Sequence, residues 1–301
     1  MQAVMKNVDC IIEVHDSRIP FSGRNSEFEY TIGGRPKILI LNKADLADMS
    51  CRKQVVDKLK RDGCSRVLFS DCKHDSTNII KKILPSIQEL IHDAGRYHRA
   101  ENRDYNVLVC GVPNVGKSSL TNAIRHKYLR AGKATQVGPT AGVTRSVLEK
   151  IRVCDEPLTY ILDTPGVLAP NVRNVEVGMK LALCATLQDH LVGETIIADY
   201  LLYWMNRHRR FEYVEHFGLK EPTDNITELL VPIAIHSNKI QKIRTSEGRY
   251  EYKPNISQAA RVVMAAFRTG KLGKFMLDDD ALDSLSEPAV ADNAGDARHR
   301  S

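Results

Sequence analysis

The 301-residue chain is 43% apolar and 27% charged. That balance suits one large or two ordinary globular domains and excludes a chain too polar to bury a core. Its net charge of +6 is uneven: residues 96–152 hold eleven Lys and Arg against three Asp and Glu, a local excess that suits a phosphate-rich partner, whereas residues 278–301 hold seven acids against two Arg.

No apolar run approaches the roughly 18–20 residues of a membrane span. The seven cysteines form no C-x-x-C pair, so neither a zinc site nor a disulfide framework is indicated. Reduced, mostly buried thiols are expected.

Strand-like apolar runs occupy 9–14 (DCIIEV), 37–41 (KILIL), 66–69 (RVLF), 105–110 (YNVLVC), 147–153 and 158–162 (LTYIL). Several are continuous rather than alternating, the pattern of strands buried on both faces of a mostly parallel sheet. Helical patterns lie between them at 50–62, 77–94 and 117–128, which predicts an α/β domain over residues 1–185. Ile196, Ile197, Tyr200, Leu201, Trp204 and Met205 then fall at helical spacing, and Ser257 to Thr269 reads as a helix with Ser257 as N-cap and Gly270 past its end. A smaller helical domain is expected over 186–285, and a disordered tail over 286–301.

Gly111-Val112-Pro113-Asn114-Val115-Gly116-Lys117-Ser118 matches G-x-x-x-x-G-K-[ST], between the strand Val107 to Cys110 and a helical pattern from Ser119. That context makes it a phosphate-binding loop. Gly111 and Gly116 let the backbone amides curl toward phosphates, and the following helix N-terminus adds positive potential. Asn114, Val115, Gly116, Lys117, Ser118 and Ser119 are the expected nucleotide contacts. Lys117 would act catalytically by neutralising the β/γ-phosphate oxygens, and Ser118 would ligate Mg²⁺. Asp163-Thr164-Pro165-Gly166 ends the next strand as a D-x-x-G. Its Asp163 would hold Mg²⁺ and the Gly166 amide would sense the γ-phosphate. In the intervening Gly-rich stretch, Thr144 is the expected catalytic, Mg²⁺-binding hydroxyl, with Thr140 the alternative.

Asn42-Lys43-Ala44-Asp45 ends an apolar strand. The Asp45 carboxylate would accept hydrogen bonds from the ring N–H and exocyclic amine of guanine, a pair that adenine lacks. Lys43 would cover the loop with its stem, and Asn42 would tie it to the phosphate loop. Ser70-Asp71-Cys72 ends another strand, where Ser70 and the backbone amides would meet the guanine oxygen. His15 and Asp16, at a strand end, are expected to be structural, and no catalytic base is assigned. The base-reading loops thus precede the phosphate loop. Sheet physics permits this, since ligand loops need adjacency in space rather than in sequence.

This order resembles the circularly permuted GTPases of the YlqF/RbgA type and their mitochondrial ribosome-associated branch. The resemblance rests on Val8 to Pro20 (VDCIIEVHDSRIP), Asn42 to Asp45, Gly111 to Ser119, Gly142 to Arg145, Asp163 to Leu168, Leu181 to Cys184 and His190 to Glu194. It implies a P-loop GTPase acting in large ribosomal subunit assembly, with rRNA bound partly by the helical domain. It also implies a mitochondrial location, in the matrix or on the matrix side of the inner membrane. Asn114 resembles the K⁺-binding Asn of several such enzymes. Val167 stands where Ras-like enzymes carry the water-orienting Gln, so slow intrinsic hydrolysis and stimulation by ribosomal particles are expected. Basic residues 125–133 would touch RNA. The family begins with a further segment containing Gly-His-Met, and no targeting peptide precedes Val8, so the expectation is a chain that lacks its natural N-terminus. A second reading stays open: a GTP-gated module bound to ribosome or membrane, with incidental hydrolysis.

Overall fold

The computed structural model describes residues 5–25, 34–73, 76–94, 96, 99, 101–129, 149–163, 170–244, 246 and 248–283. Six strands form one sheet in the order β3-β2-β1-β4-β6-β5. They are β1 (Cys10–Asp16), β2 (Lys37–Asn42), β3 (Val67–Phe69), β4 (Tyr105–Cys110), β5 (Glu149–Asp155) and β6 (Leu158–Asp163). The pairs β1–β2, β1–β4, β2–β3 and β4–β6 are parallel, and only the edge pair β5–β6 is antiparallel. Every residue of β1 is buried, as its position in the middle of a covered parallel sheet demands.

Helix α1 (Arg52–Arg61) covers one face, burying Val55 and Leu59 against Leu39, Leu41 and Phe69. Helices α2 (Ser76–Ala94) and α3 (Lys117–Tyr128) cover the other. Ile80, Ile83, Leu84, Ile87 and Ile91 recur at helical spacing along α2 and meet Leu120 and Ile124 of α3 over β1 and β4. Each such fully buried aliphatic side chain contributes about 1.5–3 kcal/mol. This packing fixes the carboxyl ends of β1, β2 and β4, where the ligand loops of an open α/β sheet lie.

A second core is helical. It is built by α4 (Val175–Leu183), α5 (Asp189–Val192), α6 (Glu194–Arg207), α7 (Glu212–Phe217), α8 (Ile226–His236) and α9 (Ile256–Arg268). Leu181, Leu201, Trp204, Leu230, Val263 and Phe267 lie at its centre. Residues of α4, ahead of position 186, contribute to it, and so does Ile19 from the loop after β1. The expected start of α9 needs correction. Asn255, not Ser257, is the N-cap: its side chain accepts from the Gln258 amide at 3.0 Å, which leaves Ser257 inside the first turn. Between α8 and α9 lies an antiparallel ribbon, β7 (Ile240–Arg244) and β8 (Tyr250–Pro254).

The chain then returns to the sheet domain. Phe275 bridges Ala47, Leu277 donates its amide to the Arg18 carbonyl at 2.9 Å, and α10 (Asp280–Asp283) packs on α1. The cysteines are free, and burial pushes the Cys10 and Cys184 thiols up to about 12, which keeps them protonated at neutral pH. Among the described residues no helix is long and apolar enough to cross a membrane. The tail, 286–301, lies outside the described residues.

Candidate nucleotide-binding site

The loop after β4 turns on two glycines. Gly111 holds φ +148° and Gly116 φ +100°, and a Cβ on either would meet an atom at 2.2 Å: the Val14 carbonyl oxygen at Gly111, the Asn42 Nδ2 at Gly116. Only Gly satisfies both the backbone angle and the space. The loop delivers Lys117 to the start of α3, where amides point outward and the helix dipole favours an anion. Lys117 Nζ donates to the carbonyls of Gly111 (3.0 Å) and Val112 (2.9 Å), so the ammonium lies across the mouth of the loop. Ser118 and Ser119 are exposed on the first turn of α3. Val115 is fully buried and anchors the loop to the sheet core.

Asn42, at the end of β2, joins three segments. Its Nδ2 donates to the Val115 carbonyl at 2.8 Å, 73 residues away. Its Oδ1 accepts from the Ser70 hydroxyl at 3.0 Å and from the Cys72 amide at 3.3 Å. The side chain is 3% exposed, so these bonds form where water competes little and losing one is costly. Ser70 is also buried; its hydroxyl orients Asn42 instead of facing outward. Lys43 follows in the left-handed region at φ 59°, and its Nζ lies 3.0 Å from Asp16 Oδ2. That turn starts the short 3₁₀ segment Ala44–Leu46, which carries Asp45 in its first turn. Ala44 donates to the Ser70 carbonyl at 3.0 Å, which fixes the two loops side by side. A groove of about 540 Å³ runs beside them, between Cys72 and Ile80 on one wall and Ser119, Asn122, Ala123, His126 and Lys127 of α3 on the other.

Asp16 and Arg18 form a fully buried fork under the site. Arg18 Nε and Nη2 donate to the two carboxylate oxygens at 2.9 and 2.8 Å. Burial alone would raise the Asp16 carboxyl, but the Arg18 and Lys43 charges hold it well below the usual carboxylate range. The Arg18 guanidinium also lies 4.8 Å from the Phe267 ring centroid of α9. His15 Nε2 is 2.7 Å from Glu13 Oε1, and neither side chain reaches the surface. Asp16, through Arg18 and Lys43, thus links the segments that leave the carboxyl ends of β1 and β2. The structural part of Arg18 escapes a motif search; the only sequence signal is a run of charges (EVHDSR) in a strand otherwise apolar.

Asn114 stands apart from the loops of Asn42 and Ser70. It holds φ 60° and its Nδ2 donates to the Ala185 carbonyl at 2.7 Å, just after α4. Asp163 closes β6 at the register position beside Val109 of β4, so its backbone neighbours the start of the phosphate loop. The Asp163 side chain, Thr140, Thr144, Gly166 and Val167 lie outside the described residues, as do residues 130–133 of the basic stretch.

The family described as "50S ribosome-binding GTPase" matches residues 106–238. The chain is 51% identical over 281 residues to Mitochondrial ribosome-associated GTPase 1 of Ictalurus punctatus, covering 92% of this chain and 88% of that protein. It is 30% identical over 279 residues to Ribosome biogenesis GTPase A of Priestia megaterium, covering 91% and 90%. Among solved structures, the GNP-bound YlqF from T. maritima matches with a TM-score of 0.56 at 21% identity, over 90% of this chain and 93% of that one, a likeness of fold.

Proposed function

We propose, from the premise that the chain belongs to the family of the mitochondrial ribosome-associated GTPases, that Asn42, Lys43 and Asp45 read the guanine of a GTP whose phosphates lie along Asn114 to Ser119. The observation that carries this reading is the Asn42 side chain, which binds the phosphate loop through Val115 and the second base loop through Ser70 and Cys72. A base-reading loop tied in this way to the phosphate loop keeps the two ends of one nucleotide in register. Order in the chain does not matter to it. The permuted arrangement follows from that freedom, with strands β1 to β3 supplying the base side before β4 supplies the phosphate side.

Hydrolysis of GTP to GDP and phosphate breaks the bond between the γ-phosphorus and the bridging oxygen as water attacks in line. Lys117 and the amides at the start of α3 stabilise the charge that grows on the phosphate oxygens. A hydroxyl from Ser118, a hydroxyl from Thr144 and the Asp163 carboxylate make an all-oxygen set, the donor type that Mg²⁺ takes. Mg²⁺ on that set would neutralise the β- and γ-oxygens. Asn114 would present its side-chain oxygen to K⁺. Val167, in the position after D-x-x-G, has no group to orient water, so intrinsic turnover is slow and a ribosomal particle completes the site. The names of the relatives support the large ribosomal subunit as the partner and mitochondria as the place; contact with its rRNA, in the matrix or at the matrix side of the inner membrane, is the finer part of the proposal.

Asp45→Asn tests the base reading. It should lower GTP affinity at least about a hundredfold, because the charged acceptor is lost and one of its oxygens becomes an amide donor facing the guanine amine. It should raise affinity for xanthosine triphosphate, whose carbonyl replaces the guanine amine and accepts from the new amide. Unchanged GTP affinity removes Asp45 from the site. Turnover measured with and without large-subunit particles tests the stimulation, and equal rates refute it. Particle binding that depends on GTP with no hydrolysis on particles would replace the enzyme by the binding-module reading.

A further inference from the structure

The β7–β8 ribbon has no place in either core. All five residues of β7 and the first four of β8 are exposed. A two-stranded ribbon alone is at best marginally stable in water, and this one buries no apolar face within the chain.

Its two faces differ. The register sets Lys242 opposite Tyr252, Arg244 opposite Tyr250, and Ile240 opposite Pro254. Directly opposed residues share a face, so one face carries two tyrosines and two cations, with no acid among the described residues. Tyr250 is 59% and Tyr252 72% exposed. Lys242 Nζ lies over the Tyr250 ring, 4.0 Å from its centroid, so this cation already rests on a ring of the same face. The other face carries Gln241, Ile243, Glu251 and Lys253. There Glu251 is already matched, with Lys253 Nζ 3.1 Å away.

Rings interleaved with cations on one exposed strand face suit a ligand that offers flat π-surfaces and phosphates in alternation. Unpaired RNA does so, because its bases can splay and stack on aromatic rings while Lys and Arg meet the backbone. A duplex hides its bases, and the deep major groove of A-form RNA excludes side chains. An anionic lipid surface would attract the cations, but the ribbon's tip holds Ser246, Gly248 and Arg249, a poor wedge for an acyl layer. Pairing with a foreign strand is discouraged by the charges along both edges.

We propose that the β7–β8 ribbon is a binding surface for unpaired RNA, with Tyr250 and Tyr252 stacking on bases and Lys242 and Arg244 taking phosphates. The two tyrosines lie two residues apart on one strand, about 7 Å, which accommodates two splayed bases. This deepens the ribosomal reading above by naming the element that meets RNA and the form of RNA it meets.

The test is fluorescence anisotropy of the full chain with a labelled oligo(U) RNA, beside a duplex RNA and anionic phosphatidylserine vesicles. Tyr250→Ala and Tyr252→Ala should each weaken oligo(U) binding about tenfold, with Tyr→Phe restoring it. Lys242→Gln and Arg244→Gln should each lower the dependence of log affinity on log salt by about 0.7. GDP affinity, which depends on residues far from the ribbon, should stay unchanged in all four and reports folding. Equal oligo(U) affinity in the tyrosine variants overturns the proposal, as does tighter binding of the duplex or loss of vesicle binding alone. Co-sedimentation of the wild-type chain with large-subunit particles is scored separately. Particle binding that survives both tyrosine changes, with oligo(U) affinity also unchanged, overturns the ribbon and leaves the ribosomal reading intact. Absence of particle binding by the wild-type chain overturns that reading, and the ribbon is then judged on oligo(U) alone.

Discussion

The side-chain amide of Asn114 donates to the Ala185 carbonyl at 2.7 Å, so the phosphate loop is fastened to the turn that ends α4. The nitrogen is committed to Ala185, and the side-chain oxygen is the atom that would face K⁺. Substitution separates the two parts. Asn114→Asp keeps an oxygen and loses the donor; Asn114→Gly loses both without the cost of about 1 kcal/mol that Ala would add at φ 60°. GTP turnover in equal K⁺ or Na⁺ should favour K⁺ in the wild type and in Asn114→Asp, and show no preference in Asn114→Gly. Identical wild-type rates in the two salts dismiss the cation. Both variants should lose about 1 kcal/mol of stability in urea titrations through the broken bond to Ala185.

Gly116→Ala is expected to damage the site through Asn42. The added Cβ would lie 2.2 Å from Asn42 Nδ2, the atom that donates to Val115. Guanine-nucleotide affinity should fall more than about tenfold. Asn42→Ala should also lower it, by removing the bridge between the loops. The double variant should be no worse than about the sum minus 1 kcal/mol, because truncating Asn42 removes the clash. Titration of the three variants with a fluorescent guanine nucleotide closes the cycle. Strict additivity would falsify the steric coupling.

Parts of this arrangement were legible in the sequence for a physical reason. A strand covered on both faces must be apolar at consecutive positions, and β1, β2 and β4 read that way. The phosphate loop was legible because its glycines answer to local geometry, a positive φ within a short span. Contacts between distant segments leave no such trace. Nothing near Asn114 points to Ala185, 71 residues on, and nothing near Arg18 points to Phe267. The ribbon escaped because its strands are exposed on both faces, so IQKIR and YEYKP show no contrast between buried and exposed positions. At α9, Asn255 and Ser257 are both able caps; the choice depends on which residue keeps extended backbone, and Asn255 does, with ψ 95°.

Stability should fall in acid partly through Glu13. Burial would raise its carboxyl, but the charges of His15, Lys37 and Arg24, with the hydrogen bond to His15, hold it at about 2 against an ordinary 4.5. A depressed folded value gives stability that is present above the unfolded value and lost as pH falls through the folded one. The window is therefore from 4.5 down to about 2, and the amount is on the order of 3 kcal/mol. Asp16, lowered by Arg18 and Lys43, adds to the loss with the same sign. Urea unfolding at about pH 6 and about pH 3 should show a large drop for the wild type and a smaller one for Glu13→Gln. Parallel losses in the two proteins would remove Glu13 from the account.

Asp278 holds the returning chain against the loop after β1. Its carboxylate accepts from the amides of Phe21 and Ser22, both at 2.8 Å, and from the Ser22 hydroxyl at 2.5 Å. Burial raises its pKa, opposed by these hydrogen bonds and by the Lys180 ammonium, which lies 3.7 Å away. The acid is kept because three donors and a cation converge on it; an apolar replacement would strand the three donors, while Lys180 would keep Asp280, 2.6 Å away. Removing one partner of a buried set costs about 1–3 kcal/mol for each donor left without an acceptor. In Asp278→Ala the Phe21 and Ser22 amides should therefore exchange hydrogen about 10–100 times faster, while amides of β4 keep their protection. Asp278→Asn, which retains one acceptor oxygen, should fall between. Exchange at Phe21 and Ser22 that matches the wild type would mean that the loop is held by its packing on α1 and not by this carboxylate.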